Sequence, residues 1–349
     1  MSSKPSEAAA FPRLRSRFLP KKASGPAAVC RQVAVALALF IVQAADAQPA
    51  TVVEYTGMAE ASAAVMLDET HFVVAEDECN TLLVYRLGQS APVGQPVVLA
   101  SHLETGEKAS DLEGAARVGD VIYWISSHSL PMSGKPREWR RRFFATKIDS
   151  STSPPTLRPI GVPHKTLLDD LMKAPQLKDL KLAKAAKRLP EMKDGLNIEG
   201  LAEWDGGGLL IGFRNPLRDG DKAAAVPLTN PTEVIKGKRA QFGKPFLLDL
   251  GGRGIRSIER IGSDYVIVAG PVGDNGTFAI YRWSGNRTDR PTLQPQSLPI
   301  GLVPEALFAV PGTADAIVLS DDGTKNPVAD CGSPGKAAQR FRAFRFHLN

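Results

Sequence analysis

A glutamate recurs in a fixed setting along this chain. It appears in Met58-Ala59-Glu60-Ala61, Leu112-Glu113-Gly114-Ala115, Ile198-Glu199-Gly200-Leu201, Ile258-Glu259-Arg260-Ile261 and Pro304-Glu305-Ala306-Leu307. The spacings are 53, 86, 60 and 46 residues. A second polar set follows downstream: Asp77, His128, Arg214 with Asn215, Asp274, and Asp321 with Asp322. If one fold brings both sets to a single mouth, their carboxylates repel in a partly desolvated channel. Some must then hold protons or find cations. Arg214 and Arg256 are cations at hand, and an oxygen-rich site also suits calcium or magnesium. His128 is the candidate general base, with a structural role as its alternative. The glutamates have an alternative too: one per repeat could tie each unit to its neighbour's backbone amides. No zinc or EF-hand spacing, Gly-x-Ser-x-Gly elbow, Walker loop or Rossmann glycine pattern is present.

The elements that must position these residues are short strands. After each glutamate comes a strand and a turn, such as Asp205-Gly206-Gly207-Gly208. A β-rich run follows: Phe72–Ala75, Val121–Ile125, Leu209–Phe213, Tyr265–Ala269 and Ala316–Leu319. Third strands are expected at Leu82–Arg86, Arg142–Ile148, Ala223–Leu228, Thr277–Trp283 and Phe341–Leu348. Fourth strands are expected at Pro96–Leu99, Leu157–Ile160, Pro245–Leu250 and Thr292–Leu298. β-Branched and aromatic runs between turn signals carry these assignments. Four antiparallel strands per repeat predict an all-β protein, a β-propeller of about five blades, with a sixth left open. The last repeat ends after three strands, and Thr51–Tyr55 is an orphan strand. Donated to the last blade, it closes the ring three-plus-one and removes two sheet edges. In such blades the glutamates and the downstream polar turns share one channel mouth.

The 86-residue gap is read as a helical insertion near residues 162–195, with helix formers over Gln176–Leu189 bracketed by Pro175 and Pro190. It is Lys-rich outside and Leu-rich inside, which suits packing on the rim; a lid or docking surface is the other reading.

With 43% hydrophobic and 23% charged residues the composition is that of a globular chain. Of the net charge of +6, five charges lie within residues 1–47, where seven Lys and Arg face two acidic residues. The rest is nearly balanced, which gives no footing for nucleic-acid binding. Val33–Val42 is an apolar run after Arg31, and Ala45-Asp46-Ala47 offers small residues for cleavage before Gln48. Residues 1–47 are therefore expected to be a signal peptide, and 48–349 one propeller domain of a periplasmic or secreted monomer. No later segment is apolar enough to span a membrane. Cys79 and Cys331 remain after the leader, an even count for an oxidising compartment. Both fall in turns after the second strand, of the first and the last repeat. Those blades are neighbours in a closed ring, so a Cys79–Cys331 disulfide is predicted.

Asp111-Leu112-Glu113-Gly114-Ala115, Leu196–Ala202, Gly254–Glu259 and Pro304–Phe308 resemble a bacterial family known only as domain of unknown function 3616. The resemblance covers about residues 50–348 and implies a propeller without implying an activity. The Glu-Gly repeats are also partly similar to phytase-like esterase propellers. Ala61, Arg260 and Ala306 depart from that motif, standing where other repeats have Gly. Two function classes follow. One is a binding or scaffold protein that takes a small molecule or protein at the channel mouth. The other is a metal-assisted hydrolase of an ester, lactone or phosphoester.

Overall fold

The computed structural model describes residues 52–273, 275–326 and 330–348. The expected leader lies outside them, as do Thr51 and the site candidate Asp274. Five four-stranded antiparallel sheets form the blades. Strand β1 (Val52–Thr56) comes first. Blade 1 is β2 (Ala61–Met66), β3 (His71–Glu76), β4 (Thr81–Arg86) and β5 (Val93–Val98). Blade 2 is β6 (Leu112–Val118), β7 (Val121–Ser126), β8 (Phe143–Asp149) and β9 (Thr156–His164). Blade 3 is β10 (Asn197–Trp204), β11 (Gly208–Asn215), β12 (Ala223–Leu228) and β13 (Phe246–Leu248). Blade 4 is β14 (Gly254–Ile261), β15 (Asp264–Gly270), β16 (Ala279–Trp283) and β17 (Thr292–Leu293). Blade 5 is β18 (Pro304–Ala309), β19 (Asp315–Ser320) and β20 (Arg340–His347), completed by β1 through pairs such as Val52↔Phe344.

The innermost strands β2, β6, β10, β14 and β18 pack side by side, and β18 meets β2 to close the ring. Successive residues of a strand face opposite sides, and in a propeller both sides are covered by neighbouring blades. Strand β3 shows why its sequence is an unbroken apolar run. Val73 and Ala75 enter the core shared with blade 2, while Phe72 and Val74 enter the core shared with blade 5. Each of the five blade junctions has such an apolar cluster. At the closing junction Tyr55 of β1 stacks on Phe341, with ring centroids 5.3 Å apart, and meets Phe72 edge-on at 5.2 Å.

Several fourth strands have other ends than the sequence predicts, β13 being three residues long rather than six, and two elements differ more deeply. The fourth strand of blade 4 is two residues long, not seven. Pro295 and Pro299 cannot donate to a ladder, so pairing stops at Leu293. The insertion is not one helix over Gln176–Leu189. It comprises a helix Leu167–Lys173, a 3-10 turn Pro175–Leu180 and a short helix Leu182–Ala185. Lys181 breaks it, with φ at 51°. The break turns Leu177, Leu180 and Leu182 all into the core between blades 2 and 3. The lysines Lys173, Lys178, Lys181, Lys184 and Lys187 stay exposed. No helix among the described residues is long and apolar enough to cross a membrane.

Candidate functional site

Each innermost strand carries one extra residue, a β-bulge, at its channel-mouth end. A bulge re-aims a side chain out of the pleat. The bulged residues are Ser62, Glu113, Glu199, Arg256 and Glu305. Three of the five repeated glutamates therefore occupy equivalent places. Glu60 precedes β2 and bridges to Asp321 of blade 5. Glu259 does not join the mouth. It pairs with Val266 three residues beyond Arg256, about 10 Å along β14.

Arg256 replaces the glutamate expected at the fourth position, and the channel is built around it. Its Nε lies 2.9 Å from Glu199 Oε2, and Nη2 pairs with Glu305 Oε1. Arg214 Nη1 reaches Glu199 Oε1 at 3.0 Å, and Asn197 Nδ2 donates to the same oxygen at 2.6 Å. Arg256 and Glu199 are 5% and 2% exposed, so these charges are desolvated together. Against desolvation, Glu199 and Glu305 hold the Arg256 guanidinium firmly charged. Burial raises the Glu305 carboxyl to about 8, with Arg256 opposing the rise. Gly270 leaves room for Arg256: a Cβ there would stand 2.7 Å from Arg256 Cγ. Backbone bonds stitch neighbouring blades at the mouth as well: Asp111 N to Asp77 O, Ile198 N to Ser127 O and Asp322 N to Ala59 O.

The other side of the mouth carries excess acid. Carboxylate oxygens of Glu60, Asp77 and Glu78 all lie within 4.8 Å of one another. Burial, then Asp321, Glu78 and Glu76, raise Glu60 to about 7. Burial, then Glu60, Asp111 and Asp321, push Asp77 well above the usual carboxylate range. Asp77 Oδ1 is buried with no hydrogen-bond partner. Burial, then Asp111, Glu199 and Glu305, also hold Glu113 well up. Burial raises Asp321, while its Oδ1 accepts from Gly323 N at 2.8 Å. Lys336 pairs with Glu76, and Arg140 with Asp111.

Three further candidates serve the framework. Asn215 Nδ2 donates to Pro190 O and Met192 O, at 2.5 and 2.7 Å, and so anchors the end of the insertion. Asp322 accepts from Arg342 Nε at 2.8 Å and from Lys325 Nζ at 2.9 Å. Against the upward push of burial, these partners hold its carboxyl below the ordinary value. His128 is 1% exposed with φ at 56°. Its Nδ1 lies 2.8 Å from Ser126 O, an acceptor, so the ring proton sits on Nδ1 and Nε2 is left as a buried lone pair. Burial lowers its pKa to about 4. Sequence reasoning missed Ser62, Glu78 and Asp111 as mouth residues. Glu78 had a signal, since it lies between Asp77 and Cys79 in the turn after β3.

Comparison with known proteins fits this picture of a propeller of unassigned chemistry. Residues 156–303 match the family described as protein of unknown function (DUF3616). The matched span runs from β9 through blades 3 and 4, and so contains Glu199, Arg214 and Arg256. The motifs at Asp111–Ala115 and Pro304–Phe308 lie outside it. No curated protein matches the sequence. Among solved structures the chain is similar to an oxidoreductase (glucose dehydrogenase) from Thermus thermophilus, at 12% identity and TM-score 0.44, covering 85% of this chain and 100% of that one. It is also similar to the PQQ-bound aldose sugar dehydrogenase of Streptomyces coelicolor, at 11% identity and TM-score 0.40, covering 86% and 100%. A third likeness is the Malassezia sympodialis allergen Mala s 1, at 10% identity and TM-score 0.41, covering 78% and 75%. All three scores lie below 0.5; the five-blade ring stands on its own strand pairing.

Glu259 gives the first prediction. Burial, then Glu203, raise its carboxyl to about 8, against 4.5 unperturbed. The folded protein thus binds a proton here that the unfolded chain releases, and stability falls as pH rises from 4.5 through 8. Glu259→Gln mimics the protonated form. In urea denaturation it should match the wild type at pH 4, below the unfolded value, and exceed it at pH 8 by at least about 1 kcal/mol, roughly one pKa unit's worth. Equal stability of the two proteins at pH 8 would contradict the assignment.

Proposed function

We propose that the protein is an exported binding protein whose channel mouth takes a divalent cation of the calcium type on the blade 1 side. The observation that carries this reading is the meeting of Glu60, Asp77 and Glu78 within 4.8 Å, with Asp77 Oδ1 buried and unpartnered among them. Three carboxylates so placed supply hard oxygen ligands and gain from a cation between them. The opposite side has its own guanidinium ions at Glu199 and Glu305 and needs none. Calcium at 100 times its Kd should stabilise the protein by about 2.7 kcal/mol over protein in chelator. Asp77→Asn should abolish that response while leaving the protein in chelator at least as stable, because repulsion is relieved. A calcium response unchanged in Asp77→Asn would move the ligand elsewhere. Export is tested by the N-terminus of protein from its native host, expected at or near Gln48; a soluble cytoplasmic form starting at Met1 would rule it out.

The hydrolase reading rests on Glu113. It is partly exposed, and no ion pair reaches it among the described residues. A carboxyl held up by burial and by Asp111 suits a general acid. His128, sealed at 1% exposure, does not reach a substrate. Turnover of a phosphoester or lactone that needs calcium and is lost in Glu113→Gln would establish an enzyme; inertness across that panel leaves binding.

A further inference from the structure

Beside the acid cluster, between the outer half of blade 1 and the segment around Cys331, lies a cavity of about 880 Å³. That volume falls in the range of pockets that hold small organic molecules. Its wall is apolar where β4, β5 and their connection form it, with Leu83, Pro92, Pro96 and Val98. Val98 is 68% exposed, among the most exposed large apolar side chains described. Its rim is acidic: Glu78, Glu107 and Asp330 have no ion-pair partner among the described residues, while the one lysine of the lining, Lys336, is taken by Glu76. An apolar wall with an uncompensated negative rim complements a molecule with an apolar body and a positive end.

We propose that this cavity binds a small amphiphilic amine, its hydrocarbon against Leu83 and Val98 and its ammonium among Glu78, Glu107 and Asp330. No aromatic side chain is among the described lining residues, so the head group it suits is a protonated amine that donates hydrogen bonds to carboxylates. The site adjoins the proposed cation site and shares Glu78 with it. Glu107 and Val98 belong to the cavity alone, which separates the two.

The test is titration calorimetry of the full mature chain in chelator with octylamine, octanol and octanoate. Octylamine is expected to bind one to one, and octanol and octanoate about tenfold or more weaker, a difference of about one decade in Kd. Val98→Arg fills the apolar wall and Glu107→Lys reverses the rim. Both residues are exposed, so both variants should fold, with unchanged melting curves and calcium titrations. Each should weaken octylamine about tenfold or more. Equal binding of octanol and octylamine overturns the proposal, as does no octylamine binding, or octylamine binding that both variants leave intact. If calcium fails to bind and octylamine binds as described, the cavity stands and the cation reading falls.

Discussion

Arg256→Met is expected to destabilise the protein by about 3–5 kcal/mol at pH 8, because removing one member of a buried ion group strands the others. Arg256 is 5% exposed and pairs with both Glu199 and Glu305. Its loss leaves Arg214 paired with Glu199, and Glu305 without an ion-pair partner among the described residues. The pH dependence identifies the cause. Glu305 titrates at about 8 even with Arg256 opposing the effect of burial, against 4.5 unperturbed. Without Arg256 it is held higher still. A carboxyl whose folded pKa is raised costs nothing below its unfolded pKa, and costs progressively more as pH rises through the folded one. The deficit of Arg256→Met should therefore shrink at pH 5 and grow towards pH 8 in urea denaturation. Adding Glu305→Gln should recover part of it at pH 8 only. Arg256 also lies over the Phe278 ring, 5.7 Å from its centroid. An equal deficit at both pH values, untouched by Glu305→Gln, would mean that packing and not charge is what was lost.

Arg256 also marks where the sequence stops being legible. Blades could be read because both faces of a propeller strand are buried, so runs such as Phe72–Ala75 and Tyr265–Ala269 are apolar without alternation, and turns punctuate them. The three-plus-one closure followed from the orphan strand and the missing fourth strand. The place of each glutamate in the channel did not follow, because a bulge is defined by the partner strand's hydrogen bonds and leaves no period in the sequence. Aligning repeats on glutamate chose Glu259, whereas pairing with β15 puts Arg256 at the bulge. One signal would have corrected this. The residue after each bulge is small: Ala63, Gly114, Gly200, Ser257 and Ala306. At Gly114 and Gly200 the neighbouring innermost strand comes close. A Cβ on Gly200 would stand 2.8 Å from Ile255 Cγ2. The small residue, not the glutamate, is what all five innermost strands share at the bulge. The partners of Asn215 and Asp322 are not legible for a related reason. Both lie at the right end of the blade, but their partners come from the insertion and from β20, which repeat counting does not place.

Replacing Cys79 and Cys331 together by serine is expected to cost on the order of 5 kcal/mol and 10 °C in Tm, with the fold retained. The two Cα atoms are 5.4 Å apart and 252 residues apart in sequence. Cys79 follows β3 of blade 1, and Cys331 lies between β19 and β20 of blade 5. The bond therefore crosses the junction that the β1–β20 pairing also closes. In the folded protein that junction already holds a full strand ladder from Val52↔Phe344 to Thr56↔Arg340 and the Tyr55–Phe341 stack. The disulfide is largely redundant there. Its effect falls on the unfolded chain, where it joins nearly the whole domain into one loop and removes the conformations in which the ends are apart. Loop entropy grows only with the logarithm of length, so the long separation makes the contribution large but bounded. The double serine variant should accordingly keep its far-ultraviolet circular dichroism and its resistance to trypsin at 25 °C, while its urea midpoint falls. Reduction of the wild type should lower the midpoint equally. Loss of the folded spectrum at 25 °C would show that the bond, rather than β1, is what closes the ring. An unchanged midpoint would show that the unfolded chain keeps its two ends together without it.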